Sequence, residues 1–153
     1  EQSHSATRQS VQMLTEAFSV LGGSMRTMSQ KLFHRNNSVM LIVEDSPADT
    51  LLIHRSLRNL IKQYRLTVVE ASTLSAAHEY LWDSRLVILD IGLPDVTFSK
   101  STIEAFISLI PNCPVIVFTA DKEFESDAPF EVVRKGQIEK LVAAAAQALA
   151  QQS

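Results

Sequence analysis

Short apolar runs alternate with helix-patterned stretches from Ser38 to the C-terminus, and this rhythm constrains the fold more tightly than any other feature of the chain. Val39-Met-Leu-Ile-Val43 is continuously apolar, the pattern of a strand buried on both faces. Leu66-Thr-Val-Val-Glu70, Arg85-Leu-Val-Ile-Leu-Asp90, Pro114-Val-Ile-Val-Phe-Thr119 and Phe130-Glu-Val-Val-Arg134 read as four more strands. After the first, Ser46-Pro47 opens a helix: serine caps, proline suits the first turn, and Asp49 lies near the positive end. Its expected inward face is Leu51, Leu52, Leu57, Leu60 and Ile61. Ser72 or Thr73 caps a second helix through Ala76, Ala77, Tyr80, Leu81 and Trp82. A third spans about 101–110 with Ile103, Phe106, Ile107 and Ile110 inward, and a last one spans about 137–151 with Ile138, Leu141, Val142 and Leu149 inward. Such β-α alternation predicts an α/β fold, a parallel sheet covered by helices on both faces.

Residues 1–37 follow a different pattern, so two segments are expected, 1–37 and 38–153. Val11, Leu14, Phe18, Leu21, Met25, Met28 and Leu32 are spaced alternately three and four apart, the seam of a coiled coil. This predicts a long N-terminal helix. Gly22 and Gly23 interrupt it, each costing about 1 kcal/mol relative to alanine, so one helix or two are both open. The flanking positions carry almost no charge, which leaves a homodimer seam and docking on the chain's own domain as alternatives. The chain starts at Glu1 rather than Met, which reads as a piece of a longer protein or as a tag remnant.

In open α/β sheets the ligand site lies beyond the carboxyl ends of the strands. Glu44 and Asp45 follow the first run; Asp90, Thr119 and Lys135 end the third, fourth and fifth. Crowded carboxylates repel one another, and a divalent cation relieves that. Oxygen-only ligands favour Mg²⁺ over Zn²⁺. Asp90 is then free to serve as a carboxylate nucleophile, with Lys135 and the Thr119 hydroxyl neutralising phosphoryl oxygens.

At this point Leu41-Ile-Val-Glu-Asp-Ser-Pro-Ala-Asp49, Leu86-Val-Ile-Leu-Asp-Ile-Gly-Leu-Pro-Asp95 and Pro114-Val-Ile-Val-Phe-Thr-Ala120 together closely resemble the receiver domain of two-component response regulators. The likeness covers about 38–150. It implies a flavodoxin-like, doubly wound five-stranded parallel sheet in the order 2-1-3-4-5. It makes Glu44 and Asp45 the acidic pair that holds Mg²⁺, Asp90 the phosphoacceptor, and the Gly92 carbonyl a further metal ligand. Thr119 becomes the switch hydroxyl and Lys135 the conserved-type lysine. The partner it implies is a histidine kinase or phosphotransfer protein, and the only catalysis is of the domain's own phosphorylation and dephosphorylation.

The chain departs from that family at several points. Gly136 follows Lys135 where proline is usual, Val132 replaces the aromatic switch residue, and Val96-Thr-Phe-Ser99 stands in place of an Asp-Gly pair. Only residues 121–129 separate the last two strands, where a parallel crossover usually takes about a dozen or more; one helical turn at most is expected. A second reading is therefore a pseudo-receiver, a protein-binding module that is not phosphorylated. A third is a dimerisation module in which the N-terminal helix is the main functional element. Net charge is −3, so no nucleic-acid contact is expected. No apolar run reaches the roughly 18 residues that span a bilayer. The single cysteine, Cys113, excludes an intrachain disulfide and fits a cytoplasmic setting.

Overall fold

The computed structural model describes residues 38–125 and 130–152. The expected N-terminal helix and its seam (Val11 to Leu32) lie outside these residues. The described elements are β1 (Val39–Val43), α1 (Pro47–Ser56), α2 (Arg58–Gln63), β2 (Thr67–Ala71), α3 (Leu74–Ala77), a 3₁₀ turn (His78–Asp83), β3 (Ser84–Leu89), α4 (Lys100–Leu109), β4 (Val115–Thr119), β5 (Glu131–Arg134) and α5 (Ile138–Ala150). The five strands form one sheet in the order β2-β1-β3-β4-β5, every pairing parallel. This is the flavodoxin-like order that the resemblance implied.

The apolar run of β1 is continuous because both faces of this central strand are buried. Leu41 and Val43 join Val87 and Leu89 on one face, under Leu74, Leu81, Trp82 and Phe106. Met40 and Ile42 join Leu86, Ile88, Ile116 and Phe118 on the other, under Ile53, Leu57, Leu141, Ala145 and Leu149. The edge strands β2 and β5 are more exposed, as edges with one covered side must be. Among the described residues no helix is long and apolar enough to cross a membrane.

Several elements differ from the sequence reading. β2 and β3 begin one residue away from the expected positions, and Asp90 lies just past β3. The first helix is capped by Ser46, whose hydroxyl accepts the Asp49 amide at 3.3 Å, and it breaks at Leu57 into α1 and α2. It buries Thr50 and Ile53, while Leu51 (47%) and Leu52 (42%) face solvent. The second helix shortens to α3 and tightens into the 3₁₀ turn. Between β4 and β5, residues 120–125 contain no helix. Phe124 and Phe130 pack instead around Ile103 and Val117, and the Arg134 guanidinium donates to the Phe124 carbonyl.

Candidate functional site

The sheet's hydrogen-bond ladders run one residue past the strands at the carboxyl edge. The Glu44 amide donates to the Ala71 carbonyl (2.9 Å), the Asp90 amide to Val43 (2.8 Å) and the Lys135 amide to Thr119 (2.8 Å). These backbone bonds bring the ends of all five strands to one edge. Glu44, Asp90 and Thr119 are buried, while Asp45 and Gly92 are exposed.

Carboxylate oxygens of Glu44, Asp45 and Asp90 lie within 4.8 Å of one another. Charges of one sign at that separation repel, more strongly where water is excluded. Burial pushes the Glu44 carboxyl up from 4.5 to about 7; hydrogen bonds from Lys135 and the Ser46 amide oppose the rise, and the charge of Asp90 adds to it. The group has no His or Cys ligand. Buried carboxylates beside an exposed one fit a hard cation that keeps part of its water shell. A cleft lined by Glu44, Asp45, Pro47, Thr50 and Glu70 gives that side access to solvent.

Lys135 reaches into the acidic cluster from β5. Its ammonium lies 2.9 Å from Glu44 Oε2, 3.0 Å from Asp49 Oδ2 and 3.5 Å from Asp90 Oδ2. Burial works against this charge, but the carboxylates of Glu44, Asp49 and Asp90 outweigh it and hold the ammonium above its usual range. The aim is achieved without a proline turn: among the described residues no peptide bond is cis, and Gly136 adopts φ +96°. Thr119 Oγ1 accepts the Asp121 amide at 3.0 Å, which leaves its own hydrogen to donate elsewhere. The Gly92 amide donates to Asp90 Oδ1 at 3.0 Å and fixes the turn after β3. Asp95 lies outside the cluster and accepts the Leu74 and Ser75 amides at 3.1 Å each, tying the loop after β3 to the start of α3.

Glu44, Asp45, Asp90 and Lys135 thus come together, with Thr119 and Gly92 on the same edge. The sequence reading missed Asp49 as a partner of Lys135 and saw only an acid at a helix start. No local pattern signals it, because the two lie 86 positions apart.

No protein-family model and no curated protein sequence matches the chain. Solved structures do. The receiver domain of PhyR from Erythrobacter litoralis is 26% identical, over 73% of this chain and 89% of that one, with a TM-score of 0.57. A response regulator receiver domain protein from Bacillus halodurans is 23% identical, over 72% and 95%, with a TM-score of 0.57. The response regulator RcsB, solved in a complex with DNA, is 22% identical, over 73% of this chain and 62% of that one, with a TM-score of 0.58. These comparisons leave the expected absence of nucleic-acid contact untested.

Proposed function

From the receiver domain of response regulators that this chain carries, we propose that it accepts a phosphoryl group on Asp90 as a signalling switch. The supporting observation is the gathering of Glu44, Asp45 and Asp90 within 4.8 Å of one another, with Lys135 laid across them. Glu44, Asp45, Asp90 and the Gly92 carbonyl would hold Mg²⁺, which supplies charge neutralisation at the phosphoryl oxygens. An Asp90 oxygen forms the new P–O bond while the P–N bond of a donor phosphohistidine breaks. The electron pair of the P–N bond stays on the imidazole of the donor, a histidine kinase or phosphotransfer protein in the cytoplasm. The Lys135 ammonium and the Thr119 hydroxyl face the transferred group's oxygens. Positioning and charge compensation of this kind carry most of phosphoryl-transfer catalysis.

The test is incubation with acetyl phosphate and Mg²⁺ followed by intact-mass measurement. We expect one added phosphoryl group in the wild type and none in Asp90→Asn. An unchanged wild-type mass overturns the reading. The pseudo-receiver reading then takes its place, supported by Val132 where an aromatic residue is usual and by the unhelical residues 120–125.

A further inference from the structure

The closest contacts of the Lys135 ammonium are not with the proposed phosphoacceptor. Glu44 at 2.9 Å and Asp49 at 3.0 Å are nearer than Asp90 at 3.5 Å. The contact with Asp49 is a directed hydrogen bond from Nζ to Oδ2. Asp49 is itself fixed, because its amide is the donor to the capping hydroxyl of Ser46 and it belongs to the first turn of α1. The lysine side chain is 19% exposed and the aspartate 32% exposed, so the pair is partly shielded from water.

We infer that Asp49 is a positioning residue: a second seat on α1 that holds the Lys135 ammonium until a phosphoryl group on Asp90 draws it away. The inference rests on the phosphoacceptor reading for its consequence, but the seat itself is a property of the protein before any phosphoryl group arrives. A cation held by Glu44, Asp45 and Asp90 would claim the charge of Glu44 and repel the ammonium. Asp49, outside that ligand set, would then be the principal anchor of the lysine. A phosphoryl oxygen must compete with this anchor. Asp49 therefore sets how readily Lys135 joins the phosphoryl group. The role also accounts for a lysine that reaches the site although glycine follows it in place of proline.

Two measurements test this. In the metal-free protein, a through-hydrogen-bond NMR coupling should link Lys135 Nζ to the Asp49 carboxylate carbon; a Lys135 ammonium signal without that coupling, unchanged in Asp49→Asn, overturns the seat. In the second, beryllofluoride with Mg²⁺ serves as the phosphoryl mimic and its affinity is read by calorimetry. Asp49→Asn should tighten binding by roughly two- to five-fold, the range of one partly exposed ion pair. In the Lys135→Met background the same change should move affinity less than about two-fold, because the competition has no lysine to act on. Weakened binding in Asp49→Asn, or equal effects in both backgrounds, overturns the inference. A wild type that takes up no beryllofluoride sinks the phosphoacceptor reading instead, and the NMR coupling still decides the seat.

Discussion

His78 is 2% exposed, and neither ring nitrogen has a hydrogen-bonding partner among the described residues. Burial pushes this imidazole below its ordinary 6.5, while the charge of Asp95 pulls it partly back. A base whose folded-state value is depressed binds fewer protons folded than unfolded. Stability therefore rises with pH over the interval between the two values. The contribution of His78 is complete above about 6.5 and is lost as pH falls from there through the depressed folded value. Glu44 has the opposite sign: its raised value makes the metal-free protein lose stability as pH climbs from 4.5 to about 7. Comparison with His78→Leu isolates the histidine. Urea titrations between pH 5 and 7 should give a wild-type stability that gains on the variant as pH rises. A constant difference across that range rejects the assignment.

At the scale of elements, the turn from β5 into α5 is held at Gly136 with φ +96°, a conformation closed to proline, whose ring fixes φ near −65°. Introducing the residue that usually follows the lysine in receiver domains should thus destabilise this protein. For Gly136→Pro we expect a loss of more than about 1 kcal/mol in chemical unfolding; unchanged or increased stability contradicts the turn geometry. The proline's absence was visible in the sequence, but not the backbone that replaces it. Legibility followed the same rule elsewhere. β1 and β3 were readable because central parallel strands need long apolar runs, and the gathering of residues at the carboxyl edge because each ends or follows a strand. Leu51 and Leu52 were misread because an apolar pair at a helix start fits either face. The break at Leu57 and the inward turn of Thr50 and Ile53 settle the register through tertiary packing. The 3₁₀ turn at His78–Asp83 was hidden for a similar reason: its buried Leu81 and Trp82 also suit an α-helical stripe. The Asp49–Lys135 pair joins α1 to β5, and only the assembled sheet brings those elements together.

At the scale of the whole molecule, the heptad pattern of residues 1–37 supports a dimer as our proposal for the full chain. Sedimentation of the chain with and without residues 1–37 should give a dimer and a monomer respectively; two monomers reject it. The carboxyl edge of the sheet has a consequence of its own. Of the chain's 17 acidic and 14 basic residues, four acids (Glu44, Asp45, Asp49, Asp90) and one base (Lys135) make up the contact cluster at this pocket. The 13 acids and 13 bases that remain are equal in number, so the cluster's formal charge equals the net −3 of the entire chain. Four acids around one base make this mouth negative, so it draws small cations, and the attraction fades as ionic strength shortens the Debye length.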